Sequence, residues 1–161
     1  KARIALLDEN DMQTADMYTE QIEDKTDLDY YYMKAELLLF EKRAGEADKY
    51  LEDRYGEVDD DDRDYFAIDA AALFLDYEDI GKAEKWLKRS EYTDSIEYKE
   101  QEARIMLGRG NYEKSQELYN ELIDKNPYST QYWNSLASSQ FFNNKIEESI
   151  QSSEYSIANL R

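Results

Sequence analysis

Small residues recur in this chain at a nearly constant interval, and the interval limits what the chain can fold into. Ala15, Ala47, Ala83, Ser115 and Ser149 mark it. Each follows Met12, Ala44, Ile80, Tyr112 or Ile146 by three places, one step along a helix face. Each also has an upstream partner at i−12: Arg3, Ala35, Ala71, Ala103 and Ala137. Two small residues so spaced, on either side of a turn, let two antiparallel helices approach closely. A period of roughly 32 to 36 residues with small residues at fixed offsets is the signature of a stacked-repeat architecture rather than of one central core.

The clearest single unit is Gly108 to Pro127. Gly108 and Gly110 end one helix, and Tyr112 opens the next. Ser115, Leu118, Tyr119, Leu122 and Ile123 follow at helical spacing, and Asn126 and Pro127 stop it. Residues on this pattern resemble the tetratricopeptide repeat family. Trp133, Leu136, Ala137 and Ile146 carry the resemblance, with Gly110, Tyr112, Ser115, Tyr119 and Pro127. Ala35, Leu38, Ala47 and Leu51 carry it in one earlier repeat, and Ala71, Phe74, Ile80, Ala83 and Leu87 in the next. The small residue that usually closes the family's second helix is Arg54, Ser90, Leu122 and Ser156 here, so only two of four keep it. The resemblance implies an all-α, right-handed superhelical solenoid of antiparallel helix pairs over residues 1–161. Its repeats fall near 1–27 (partial), 28–60, 61–95, 96–129 and 130–161. The chain starts at Lys1, inside a repeat, which reads as a segment of a longer protein.

Charge narrows the partners. Lys and Arg number 20 against 38 Asp and Glu, a formal net charge of -18. Such a chain lacks the basic footprint that nucleic-acid phosphates need, and it is equally unsuited to an anionic membrane surface. Residues 1–81 hold 9 basic and 25 acidic residues (-16), and residues 82–161 hold 11 and 13 (-2). The first half therefore carries nearly all the field. Fifteen tyrosines against five phenylalanines call for many half-buried rings with wet hydroxyls. Without Cys or His there is no disulfide, no thiolate or imidazole ligand and no imidazole base. No apolar run approaches the roughly 18 residues of a membrane span.

The joints read as follows. Lys1–Leu7 is the tail of a helix and Asp8–Asp11 a turn, with Asp11 able to cap Met12–Glu23. Asp27 caps a wide-faced apolar helix from Leu28. Ala44–Arg54 is its partner, with Gly56 as C-cap. Glu57–Asp64, the most acidic stretch, is a longer connection whose acids suit a helix N-terminus. It lacks the spacing, the turn glycine and the final glutamate of a calcium loop. Tyr65–Tyr77 is the next helix, and Ile80, Ala83, Trp86 and Leu87 line its partner, with Trp86 filling space between helices. Asp94 is expected to cap Ile96–Leu107, and Ser129 or Thr130 to cap Gln131–Phe142. Asn143 and Asn144 form a turn before the serine-rich Ile146–Leu160.

Nothing in this pattern marks chemistry. Acid pairs such as Asp61 with Asp64 arise by chance among 38 acids, and Gly108 with Gly110 lacks the third glycine and the preceding strand of a nucleotide loop. No enzyme, cofactor or metal is expected. In the family the chain resembles, the first helix of each pair lines a concave groove for a peptide or partner helix. Those offsets map onto Asp29, Tyr32, Glu36 and Leu39, then Tyr65, Ile68, Ala72 and Leu75, with Asp69 beside them in the same groove. They continue at Glu97, Glu100, Arg104 and Leu107, and end at Gln131, Asn134, Ser138 and Phe141. The cluster of Lys, Asn and Arg with which one branch of the family holds a terminal carboxylate is missing. The expected role is a protein-interaction scaffold whose partner is a basic or neutral protein or peptide. The alternative is a structural spacer with an empty groove. Tyr32 and Tyr65, as exposed aromatics on the inner face, would favour the scaffold.

Overall fold

A computed structural model describes Ala5 and residues 11–160. The expected helix tail at Lys1–Leu7, the turn at Asp8–Asn10 and the pairing of Arg3 with Ala15 lie outside the described residues, Ala5 apart. Among the described residues there are nine helices and no strand. They are α1 (Met12–Glu20), α2 (Leu28–Phe40), α3 (Ala44–Tyr55), α4 (Arg63–Asp76) and α5 (Ile80–Leu87), then α6 (Ile96–Gly108), α7 (Tyr112–Lys125), α8 (Thr130–Phe142) and α9 (Ile146–Ala158).

The packing is repeat-like. Helices pair as α2 with α3, α4 with α5, α6 with α7 and α8 with α9. Each pair leans on the next: α3 and α2 touch α4, α5 and α4 touch α6, and α7 touches α8. The small residues sit where this geometry is tightest. Ala35, Ala47, Ala71, Ala83, Ala103 and Ser115 are fully buried. At two pairs the contact is visible atom by atom: the Ser115 hydroxyl donates to the Ala103 carbonyl at 3.0 Å and the Ser149 hydroxyl to Ala137 at 2.9 Å. Those are the partners at i and i−12 in the sequence.

The turn between paired helices is also repeated. Lys42, Glu78, Gly110 and Asn144 have φ of 63°, 62°, 77° and 60°, and they recur in step with the small residues of the helices that follow them. The residue after each donates its backbone N–H to a carbonyl five positions back: Arg43 to Leu38, Asp79 to Phe74, Asn111 to Met106 and Lys145 to Gln140, each at 2.9 Å. This is the Schellman bond, which satisfies carbonyls left open at a helix end and needs one left-handed residue. Gly56 closes α3 differently, with φ of -68° and no left-handed turn.

Side-chain caps fix the starts. Asp11, Asp27, Asp79, Asn111 and Ser129 each accept a first-turn N–H. The expected cap at Asp94 is corrected to Ser95, whose extended backbone (ψ 154°) aims its hydroxyl at the Tyr98 N–H, 3.1 Å away. The acidic connection before α4 contains a buried anchor, Val58, whose carbonyl accepts from Arg63 Nε at 3.1 Å.

The two halves fill their interiors differently. In the first, Tyr55, Phe66 and Trp86 meet with ring centroids 5.7 to 5.9 Å apart. Trp86 is fully buried, and its indole N–H donates to Asp48 at 2.8 Å. In the second, hydroxyls take over. The Ser115 and Ser139 oxygens lie 2.9 Å apart, and Ser152 donates to Gln140 at 2.7 Å. Each of these buried hydroxyls has a partner, which removes the cost of burying it.

Thermal or denaturant unfolding checks this packing. We expect Ala71→Leu to destabilise by about 1–3 kcal/mol, because the methyl-sized gap between α4 and α5 has no room for an isobutyl group. Gly81→Ala should do the opposite and stabilise by up to about 1 kcal/mol. A Cβ there meets nothing closer than Asp79 Oδ1 at 3.6 Å.

Candidate functional site

The main candidate is a concavity bounded by α2, α4 and the end of α1. It is about 540 Å³ in volume. Helical spacing builds its walls. From α2 come Asp29, Tyr32, Met33 and Glu36, and from α4 come Asp69, Ala72, Leu73 and Asp76. Tyr18, Gln21 and Ile22 of and just after α1 close one side. Along α4 the wall is the row 69, 72, 76, one face at i, i+3, i+7.

Four carboxyl groups therefore border a part-apolar hollow. Glu36 is only 3% exposed. Tyr32 is half-buried, its ring centroid 5.4 Å from that of Phe66. Its hydroxyl is shut off from water and, among the described residues, has no partner at hydrogen-bond geometry. Burial, with the negative charge of Asp69 beside it, pushes that hydroxyl far above the usual tyrosine range. Asp69 is exposed. The surrounding protein, together with the charges of Asp29 and Glu97, still pushes its carboxyl above the usual range, against the lowering effect of Tyr32. Arg104 of α6 reaches this row, binding Asp76 at 2.7 Å and Gln101 at 2.9 Å.

Of the residues expected to line a groove, Asp29, Tyr32, Glu36, Asp69 and Ala72 meet in this hollow. Arg104 stands at its edge through Asp76. Leu39 and Ile68 do not line it: they are 4% and 1% exposed and belong to the core. Tyr65 is exposed but packs edge-on against Tyr92, with centroids 5.3 Å apart. Glu100 accepts from Gln131 Nε2 and from the Tyr132 hydroxyl, both at 3.1 Å, tying α6 to α8. Asn134 and Ser138 are exposed on α8, the Ser138 hydroxyl turned back to the Asn134 carbonyl at 3.0 Å. Tyr65 is thus exposed but does not line the hollow, and Tyr32 lines it but is half-buried rather than exposed.

Sequence reasoning missed Tyr18, Ile22, Met33, Leu73 and Asp76. Asp76 was within reach, since extending the row from Asp69 and Ala72 by one turn leads to it. The contribution of α1 comes from a neighbouring repeat and leaves no mark in the spacing within one unit. Among the described residues no group of His, Cys, Asp or Glu is arranged to hold a metal ion, and no helix is long and apolar enough to cross a membrane. No protein-family model, curated protein or solved structure matches the chain.

The raised Asp69 carboxyl has a consequence for stability. A carboxyl that holds its proton more tightly when folded stabilises the native state at low pH, and that contribution is lost as pH rises through the folded value. Asp69→Asn should therefore raise the melting temperature at pH 7, with the gain shrinking below the usual aspartate range. Melting curves at pH 3 to 7 measure it, and carboxyl NMR titration reads the Asp69 shift directly.

Proposed function

We propose that this chain is a protein-interaction scaffold of the tetratricopeptide type, and that the hollow between α2 and α4 is where it takes an extended peptide or partner helix. The observation that carries the reading is the meeting of Asp29, Tyr32, Glu36 and Ala72, at offsets where the resembling family presents its groove, with Asp69 in one concavity. A stack of helix pairs supplies the concave surface, and the alternation of aromatic, small and acidic side chains supplies selectivity.

The partner is a basic or neutral segment with Arg or aliphatic anchors. Negative charge around the hollow steers such a segment in and rejects acidic ones, and it acts more on association rate than on net affinity. An Arg or Lys entering the hollow favours the ionised form of Asp69, whose carboxyl is raised by burial and by the charges of Asp29 and Glu97, so binding and Asp69 ionisation are linked. The competing reading, a spacer with an empty groove, draws support from the many acids that lie on solvated faces elsewhere, Asp59 to Asp62 among them.

Two peptides test it, one alternating Arg with Leu and one alternating Glu with Leu. The Arg peptide should shift amide resonances around Tyr32 and Asp69, weakly and with an affinity that falls as salt shortens the screening length to about 8 Å. An Asp29→Asn, Asp69→Asn double variant should slow its association more than it speeds release. Equal shifts from the Glu peptide, or shifts confined to α7–α9, would sink the assignment.

A further inference from the structure

The second helix of each internal pair touches both its own partner and the first helix of the next pair. On α7 the face toward the next pair is Gln116, Tyr119 and Ile123, which are 7%, 1% and 7% exposed. Helix α8 is what covers them: the Gln116 amide donates to the Ser139 carbonyl at 3.3 Å, and Tyr119 and Ile123 share a cluster with Tyr132 and Leu136.

The repeat shift that carries Ser115 onto Ser149 moves those three positions to Ile150, Ser153 and Ile157 of α9. There the same face is open. Ile150 is 56% exposed and Ile157 57%. Ile146 and Leu160 extend the row at 42% and 71%, so that 146, 150, 153, 157 and 160 run at spacings of 4, 3, 4 and 3. That is the period of a seam meant to be met by another helix. The opposite face of α9 is already spent. Ser149, Ser152 and Ser156 are buried, and their hydroxyls bond Ala137, Gln140 and Thr130. The chain thus places three of the four serines of α9 against α8 and its isoleucines outward, the reverse of what a helix facing water on that side needs.

We infer that the open face of α9 is the seat of a further amphipathic helix of the same polypeptide, laid across α9 as α8 lies across α7. This interface continues one already seen inside the molecule, and continuity fixes the occupant's chemistry. It presents small and apolar residues at the places of Ser135, Ser139 and Leu136, with neutral or basic flanks toward the exposed Glu147 and Glu154. Only Asn126 to Ser129 separate α7 from α8, so a connection of similar length joins α9 to the covering helix. A second copy of the chain fits less well. One short helix face buries much less than the roughly 1,200–2,000 Å² of a stable interface between separate chains, whereas a tethered helix avoids most of the association cost. The inference concerns the stack and stands apart from the proposed groove between α2 and α4.

The chain has no cysteine, so one substitution gives one thiol. Ile150→Cys and, separately, Ile157→Cys are placed in the chain ending at Arg161 and in the natural polypeptide with whatever its gene encodes after Arg161. Gln151→Cys, on an exposed flank, is the reference. Thiol labelling of both seam positions should be slower in the natural polypeptide by about an order of magnitude, independently of protein concentration, with Gln151→Cys unchanged. Equal labelling in both proteins, or a gene that encodes nothing after Arg161, overturns the inference. Protection that disappears on dilution overturns it in favour of a second copy, and protection that appears only on adding a cell extract overturns it in favour of another protein's helix. Circular dichroism of each variant confirms that the helices persist, and the two positions check one another.

Discussion

Everything in this molecule depends on how closely two antiparallel helices approach at one recurring point. A methyl or hydroxymethyl side chain on each helix brings the backbones near enough for a serine hydroxyl to reach the opposite carbonyl, as at Ser115 and Ser149. The left-handed turn residue sets the hand-over between the helices, at the same interval as the small pairs. Together they make one unit that cannot bury its remaining faces alone. Stacking follows from that deficit, because each unit's second helix finds cover only in the next unit. The concavity between α2 and α4 is a by-product of the same constraint, since side chains on the first helices that are not needed for stacking are left facing one hollow.

The two halves meet the constraint with different chemistry, and this bears on function. The first half packs tyrosine, phenylalanine and tryptophan rings and carries nearly all the net charge. Part of that charge is spent in clasps between helices. Lys85 and Arg89 of and just after α5 reach Glu52 of α3 at 2.7 and 2.5 Å, and Arg89 lies 4.2 Å from the centre of the Trp86 ring. Lys34 spans α2 to Asp16 and Glu20 of α1 and, with Lys25, holds the Glu20 carboxyl at about 2. Around the hollow stand Asp29, Glu36, Asp69 and Asp76, the last bound by Arg104 of α6. The second half is close to neutral and replaces rings by bonded serines and glutamines, which specify register at little gain in hydrophobic burial.

The sequence made the helices and their pairing legible because small residues and apolar periodicity report directly on close approach. It was less informative wherever the burden fell on an atypical residue. Gly110 and Asn144 are ordinary occupants of a left-handed turn, but Lys42 and Glu78 hold the same conformation without any mark in the sequence. Val58 is a lone apolar residue in an acidic connection and gives no periodic signal, yet it is an anchor. In the candidate site, the family resemblance pointed to Asp29, Tyr32, Glu36, Asp69 and Ala72, which border the concavity. It placed Leu39 and Ile68 on the wrong side, because adjacent helix positions differ by about 100° and the core claims the more apolar one. The walls given by α1 were invisible for a different reason: they depend on how repeats stack, which no single repeat encodes.

The account stands on the pairing of each small residue with its partner at i−12. Alanine-methyl NMR on an otherwise deuterated chain measures it directly, through cross-peaks between methyl groups less than about 5–6 Å apart, the separation of neighbouring Cβ atoms on one helix surface. The account predicts cross-peaks between Ala35 and Ala47 and between Ala71 and Ala83. Alanine pairs from different repeats that share the register but not the interface, such as Ala35 with Ala83, should show none. Absence of both intra-pair cross-peaks in the folded protein would contradict the stacked-repeat account and everything built on it.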